Sequence, residues 1–368
     1  MSKNKLWIIV GILAVLIIAL VCLSGSRSGD GLSKPIKIGV MAILSGDAAA
    51  WGNNAKKAID MAIEEHNAKY PEKQVETVYV DTKGDSKEAV TGFTKLTKVD
   101  KVQFIIGPLF LNELTSIDPL VQASGIPVIS PAYTPKENRK NPKNPLLMWM
   151  DAMIETERIA RYVIGQGVKT VSIIHSTDAW ETSVAGEFKK QVEAAGVKVL
   201  AVETVQQDAN DVRLSVTKLI AGKPEAVFLS TYFQYINSLK ALGEQRYSGK
   251  MFSIEIDDYL AGETKDFVRE VLAINPENYS SDFSAAFEKR YGVRPGMPAG
   301  HAFDAANLLL ENIAKDSSKE SVFNDFKTRS SYKGVSGEIT FTPDGKTLFP
   351  TALYRISDGK IERVGPLE

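Results

Sequence analysis

Short runs of β-branched and aliphatic residues alternate with longer stretches whose apolar positions recur every three or four residues, from Pro35 almost to the end of the chain. Ile36 to Met41 predicts a strand, and after a glycine-containing loop Ala55, Ala58, Ile59, Ala62 and Ile63 fall on one face of a helix. Val75 to Val80, Val102 to Ile106 and Pro127 to Ile129 predict further strands, with helices around Lys87 to Lys98 and Asn112 to Ala123 between them. Strands joined by helical crossovers lie parallel, so this half predicts a parallel sheet flanked by helices.

A loop from Thr134 to Pro145, rich in Pro, Lys and Asn, separates this series from a second one. There the strands are Thr170 to Ile174, Val197 to Val202 and Ala226 to Ser230, and the helices are Ile154 to Gly165, Thr182 to Ala195, Asp211 to Ala221 and Phe233 to Glu244. The chain thus holds two similar α/β units. Two more helical segments, Ser280 to Tyr291 and Pro298 to Ala314, and a β-rich tail from Glu338 to Val364 complete it, with Ser336 to Asp344 extended up to a Pro343-Asp344-Gly345 turn.

The beginning of the chain breaks the pattern. Lys3 and Lys5 precede an unbroken apolar run from Leu6 to Leu23, followed by a small, polar stretch from Ser24 to Gly31. Eighteen helical residues span roughly 27 Å, close to the hydrocarbon thickness of a bilayer. A retained membrane anchor or signal helix is expected, and the lysines before it place the rest of the chain outside the cytoplasm. Two other outcomes stay open. Cys22 stands where a lipoprotein signal carries its lipidated residue, although the bulky Val21 beside it argues against processing, and the small residues Ser24 and Ser26 permit cleavage and release.

Charge and chemistry narrow the function by exclusion. Lys plus Arg total 44 against 45 for Asp plus Glu, so no overall field attracts a phosphate backbone, and nucleic acid is excluded as a partner. Cys22 is the only cysteine, which leaves the globular part without disulfides, a thiol nucleophile or thiolate metal ligands. His66, His175 and His301 are far apart with no metal-ligand spacing, and only His175, at a strand end, comes near the expected cleft. Neither a Gly-x-Gly-x-x-Gly nor a Walker-type loop occurs. No cofactor, no metal and no catalysis are expected.

An ordered series of segments carries a family likeness. Ile36-Lys37-Ile38-Gly39-Val40 leads through Leu44-Ser45-Gly46 to Trp51-Gly52; Phe104-Ile105-Ile106-Gly107-Pro108 and Gly125-Ile126-Pro127-Val128-Ile129-Ser130-Pro131 follow. Phe287-Glu288-Lys289-Arg290-Tyr291-Gly292, Ala302-Phe303-Asp304-Ala305 and Gly337-Glu338-Ile339-Thr340-Phe341 come later. Together they resemble the type I periplasmic binding proteins of the branched-chain amino-acid (Leu/Ile/Val-binding) kind. The resemblance implies two Rossmann-like lobes with parallel sheets, joined by a three-strand hinge near Asp151, Ile274 and Leu348, with ligand held in the cleft between them. It also implies discontinuous lobes, residues 35–151 plus 275–347 and residues 152–274 plus 348–368.

By the same likeness Ala132 and Thr134, in Pro131-Ala132-Tyr133-Thr134, occupy amino-acid-holding positions, where backbone N–H groups and the Thr134 hydroxyl would hold an anion. Trp51 and Trp180, each in a loop after a strand, would shut over the ligand from one lobe each, with Tyr232 similarly placed in the second. Glu255 resembles the carboxylate that accepts a ligand ammonium, with Asp257 or Asp258 as alternative acceptors. One departure bears on the cargo: Leu111 stands where relatives offer a hydroxyl, so either Asn112 and backbone amides compensate or the ligand is not an α-amino acid. The implied role is a monomeric, non-enzymatic substrate-binding component of an ABC importer, delivering a small solute to a membrane permease. The alternative is a ligand-sensing ectodomain acting with a separate signalling partner; a sugar-responsive repressor would need a helix-turn-helix where the apolar run stands.

Overall fold

Strand β1 (Ile36–Ala42) is buried from Ile38 to its end. Its alternate side chains serve two cores, Ile38 and Val40 on one face and Met41 on the other, as a parallel strand covered by helices on both sides must. The computed structural model describes residues 34–133, 144–267 and 269–367; the N-terminal apolar run, with Cys22, and Thr134 lie outside them. Among the described residues no helix is long and apolar enough to cross a membrane.

Around β1 stand β2 (Val75–Asp81), β3 (Phe104–Ile106), β4 (Val128–Ser130) and β5 (Leu146–Leu147), all parallel, in the order β2-β1-β3-β4-β5. Helices α1 (Ala49–Lys69), α2 (Ser86–Thr94, running into a π-helical turn at Lys95–Asp100) and α3 (Leu111–Ser124) connect them. Helix α1 closes tightly over the end of β1, because Gly52 sits where any Cβ would lie 1.8 Å from the Ile43 carbonyl oxygen.

The second sheet repeats the plan. Its strands β6 (Thr170–Ser176), β7 (Lys198–Val205), β8 (Ala226–Ser230), β9 (Lys250–Ile254) and β10 (Val271–Pro276) run parallel in the order β7-β6-β8-β9-β10, the same winding as the first. Helices α4 (Ala152–Gly165), α5 (Ala179–Ala194), α6 (Arg213–Ile220), α7 (Tyr235–Glu244) and α8 (Asp258–Gly262) connect and cover it, and Phe188 of α5 stacks on Phe228 of β8 at 3.8 Å. In both sheets the connections diverge on either side of the first strand, β1 or β6. The resulting crevice opens at the carboxyl ends of the strands, where open α/β sheets hold ligands.

The chain then returns to the first unit. Helices α9 (Ser281–Tyr291) and α10 (Ala299–Lys315) lie against α1, where the Tyr291 hydroxyl donates to the Lys57 carbonyl (2.7 Å) and the Asn54 amide to the Met297 carbonyl (3.2 Å). Helix α11 (Lys319–Thr328) and the antiparallel strands β11 (Ser331–Gly334), β12 (Gly337–Phe341) and β13 (Thr347–Leu348) follow. The chain passes between the units three times: after β5, after β10 and between β13 and β14 (Thr351–Ser357). Hydrogen bonds tie these passages together: the first to the third from the Asp151 N–H to the Thr347 carbonyl (3.1 Å), the Thr347 hydroxyl to the Leu147 carbonyl (3.0 Å) and Arg158 to the Phe349 carbonyl (3.2 Å), and the second to the third from the Glu277 N–H to the Pro350 carbonyl (2.9 Å).

The second sheet is not wholly parallel. β14 pairs antiparallel to β10, and β15 (Lys360–Pro366) antiparallel to β14 at the sheet's outer edge. Asp358 and Gly359, both at positive φ, form a two-residue hairpin loop, a connection too short for a crossover. Helices α4 and α5 also begin earlier than the apolar periodicity predicts, whereas α6 and α7 begin two residues later. Asp151 and Asp178 cap α4 and α5 by accepting the N–H groups of Met153 and Ile154, and of Trp180 and Glu181.

Candidate functional site

The carboxyl ends of the two sheets face each other across a cavity of about 810 Å³, counting the part open to solvent. The first unit supplies Trp51 from α1, Phe110, Leu111 and Asn112 from the turn into α3, and Ala132 and Tyr133 after β4. Across it stand Trp180 on α5, Tyr232 after β8 and Glu255 after β9, and Trp149 closes the side near the first passage. Trp51 is the junction: its ring centroid lies 5.4 Å from Trp149, 6.3 Å from Phe110 and, reaching the opposite unit, 6.2 Å from Tyr232.

Glu255 is held in place by its backbone and its indole partner. Its N–H continues the ladder to the Ile274 carbonyl (2.9 Å), and the next residue, Ile256, is clamped by the side chain of Asn275, which accepts its N–H (2.9 Å) and donates to its carbonyl (2.7 Å). Between these anchors Glu255 takes a left-handed φ of 52°, a conformation uncommon outside glycine and held here by the paired groups on either side. The Trp149 indole N–H donates to Glu255 Oε1 at 2.8 Å. Burial raises the Glu255 carboxyl to about 7, against the lowering effect of Glu155 and Trp149. Glu155, on the first turn of α4, faces it; burial first, and the Glu255 charge second, push Glu155 well above the ordinary range, so the pair keeps a proton at neutral pH.

Three other carboxylates occupy the backbone donors around the cavity. Glu113 Oε2 accepts the N–H groups of Phe110 (2.9 Å) and Leu109 (3.3 Å). In the second unit Glu181 accepts those of Tyr232 (2.6 Å) and Ser176 (3.2 Å), and Asp178 those of Trp180 (2.8 Å) and Glu181 (3.2 Å). Desolvation raises both Glu113 and Glu181 to about 7.

Trp51, Leu111, Asn112, Ala132, Tyr133, Trp180, Tyr232 and Glu255, the positions singled out in the sequence, all meet at this one cavity. Trp51 and Trp180 do so from the first turns of α1 and α5 rather than from loops, since both helices start before them. Asn112 does not stand free to compensate for Leu111: its amide donates to the Gly84 carbonyl at 2.8 Å. Asp257 stands behind the wall, capping α8 and accepting the Tyr232 hydroxyl at 2.9 Å. His175 is buried between the Ser176 carbonyl (2.7 Å) and the Thr204 hydroxyl (3.1 Å), outside the cavity lining. Among the described residues no cluster of His, Cys, Asp and Glu has the arrangement of a metal site.

Trp149, Phe110, Glu155 and Glu181 were not singled out by the sequence. Trp149 sits in the uniformly buried run Leu146 to Met150, which carries no alternation to mark a cavity-facing residue. For Glu181 a signal existed: Asp178-x-x-Glu181 has the spacing of a capping box, which places the glutamate at the strand-to-helix turn.

The family model for periplasmic binding proteins matches residues 35–360. Leu/Ile/Val-binding protein homolog 2 of Brucella abortus (strain 2308) is 23% identical, with 94% of this chain and 95% of that protein aligned. Leu/Ile/Val-binding protein homolog 3 of Brucella melitensis is 25% identical over 54% of each chain, so this chain spans about half of that relative's length. The fold is shared with the branched-chain amino acid transporter substrate-binding protein of Streptococcus pneumoniae, whose structure holds isoleucine (TM-score 0.81, 20% identity, 90% of this chain and 100% of that one). The chain belongs to the periplasmic binding protein family, a non-enzymatic solute-binding fold, and is similar to its members of the branched-chain amino-acid type.

Proposed function

We propose that the chain is the substrate-binding component of an ABC importer, whose two lobes close on a small solute and present the closed form to a membrane permease outside the cytoplasm. The observation that carries this reading is the cavity lined from both α/β units, with Trp51 of one in ring contact with Tyr232 of the other at 6.2 Å. A solute held there touches both lobes, so its binding energy favours the closed arrangement over an open one. The lobes are residues 35–151 plus 275–347 and 152–274 plus 348–368, hinged at the three hydrogen-bonded passages. The apolar run from Leu6 to Leu23 is the tether or the export signal. The isoleucine held by the Streptococcus protein supports an amino acid or a related small solute as the cargo class.

The ligand contacts in this reading are the aromatic walls Trp51, Tyr133, Trp180 and Tyr232, the apolar Leu111 and Ala132, and the Glu255 carboxylate. Asn112 and Asp257 position their neighbours, and Thr134 continues the Ala132-Tyr133 segment. A thermal-shift screen of small solutes identifies a binder by the rise in melting temperature it causes. Trp51→Ala and Tyr232→Ala, one from each lobe, should each weaken that binder by about tenfold or more, the usual cost of removing a buried aromatic contact. A binder indifferent to either substitution would touch only one lobe and refute closure by bridging.

A further inference from the structure

We infer that Glu181 is the positioning residue of the second lobe's wall: its carboxylate holds the Tyr232 backbone against the start of α5, and solute affinity depends on that hold. This rests on the solute-binding reading above and deepens it. The two lobes seat their first helix by different means. In each, a tryptophan on the first turn, Trp51 of α1 or Trp180 of α5, is followed by the residue that meets the strand ends. In the first lobe that residue is Gly52, and backbone packs on backbone, since a Cβ there would lie 1.8 Å from the Ile43 carbonyl oxygen. In the second it is Glu181, 2% exposed, and the junction is made by a carboxylate.

Glu181 Oε1 accepts the Tyr232 N–H at 2.6 Å and Oε2 the Ser176 N–H at 3.2 Å. Its carbonyl accepts the Ser230 hydroxyl at 3.2 Å, and its own N–H donates to Asp178 at 3.2 Å. One residue thus joins the end of β6, the turn after β8 and the first turn of α5. Tyr232 is held between two acids, its backbone by Glu181 and its hydroxyl by Asp257 at 2.9 Å, which sets its ring 6.2 Å from Trp51 of the other lobe. Trp180 lies on the same helical turn as Glu181, with its N–H capped by Asp178 at 2.8 Å. Trp180 and Tyr232 therefore take their places in the wall from one knot.

The knot needs an anion. An ionised carboxylate accepts at both oxygens, and bonds to it are shorter and stronger than neutral ones. A glutamine of the same shape offers one oxygen to two N–H groups and turns its own amide hydrogens on the other. Burial raises the Glu181 carboxyl to about 7, against the lowering effect of Ser176 and Tyr232, with the Asp178 charge raising it further. A proton arriving on either oxygen therefore loosens the wall near neutral pH. The other titratable groups around the knot are Glu255 and Asp257 after β9 and His175 at the end of β6, whose ring is turned to the Thr204 hydroxyl at 3.1 Å.

The Tyr232 amide reports the knot directly. In the full chain in mild detergent, with nitrogen-15 at its 12 tyrosines, that amide is identified by its loss in Tyr232→Phe. Its proton resonance should move upfield as pH falls from 8 to 5, with a midpoint near 7. A flat response in the wild-type chain overturns the inference without any variant. Glu181→Gln should shift the resonance upfield at pH 8 and abolish its titration, whereas Glu113→Gln, in the other lobe, should change neither. Asp178, His175, Glu255 and Asp257 remain in the Glu181 variant, so a titration that survives there belongs to them and also overturns it. Isothermal titration with isoleucine and with benzoate supplies the functional arm. A probe that binds the wild-type chain should bind Glu181→Gln about tenfold or more weakly. Tyr232→Ala should then cost less in that background than alone, because Glu181 acts through Tyr232. Undiminished affinity, or losses that simply add, would overturn the inference and leave bridging of the two lobes intact. If neither probe binds, the amide result alone decides whether Glu181 holds Tyr232, and the solute-binding reading is judged separately by the wider screen.

Discussion

Replacing Trp149 with Phe isolates the bond that orients Glu255. Phe keeps an aromatic ring near Trp51 and His301, whose centroids lie 5.4 and 4.4 Å from the indole, but it removes the N–H that donates to Glu255 Oε1 at 2.8 Å. The loss has two parts. Truncating the indole costs packing, on the order of 1–2 kcal/mol, and this part does not depend on pH. Removing the donor costs about 1.5–3 kcal/mol when Glu255 is ionised and nearer 1 kcal/mol when it is protonated, because a bond to a charged acceptor is the stronger one. With the Glu255 carboxyl at about 7, the ionised case applies at pH 8 and the protonated case at pH 5. Urea unfolding of both proteins at the two pH values should therefore give a destabilisation about 1 kcal/mol larger at pH 8, equivalent to the variant's Glu255 pKa rising by roughly 0.7. Packing cancels in that difference. Equal destabilisation at both pH values would mean that Glu255 does not ionise against Trp149, and the account of the site would fail.

Two further expectations follow from buried groups. Glu113, Glu181 and Glu255 are each raised by burial from 4.5 to about 7, so the folded chain holds protons that the unfolded chain releases above about pH 4.5. The stabilisation is therefore complete below that pH and is lost as pH rises towards 7, by on the order of a few kcal/mol for each group; the unliganded protein should melt at a higher temperature at pH 5 than at pH 8, and a flat or rising profile would contradict this. Gly52→Ala would drive a methyl group to 1.8 Å from the Ile43 carbonyl oxygen, so α1 must lift from the end of β1. A loss above about 4 kcal/mol is expected by urea unfolding, and a loss under 1 kcal/mol would show that the contact gives way easily.

The alternation of strand and helix in both units was legible in the chain because parallel strands and amphipathic helices write different periods into sequence. The positions that converge on the cavity were legible for a related reason: Trp51, Ala132, Trp180, Tyr232 and Glu255 all follow predicted strand ends, and strand ends gather at one rim. What periodicity does not carry is the state of an acid at a helix start. Glu113, Glu155 and Glu181 look like ordinary first-turn residues facing water, and only the docking of each helix on its sheet buries them. The antiparallel β14–β15 hairpin was likewise hidden in a tail legible only as β-rich, although Asp358-Gly359 between two apolar runs is a hairpin signal. Whether Asn112 could stand in for a hydroxyl depended on Gly84, distant in sequence and adjacent in space.

That hairpin also decides how the second lobe meets its neighbours. A sheet edge presents unpaired N–H and C=O groups to any strand that drifts alongside, a hazard for any protein at high local concentration. Here the outermost strand is β15, which presents exposed Lys360, Glu362 and Arg363 and ends on Pro366, a residue with no N–H to give. An incoming strand would meet charges where it needs an apolar row. The margin of the sheet thus resists templated aggregation, and copies of the chain can gather densely without being recruited into one another's sheets.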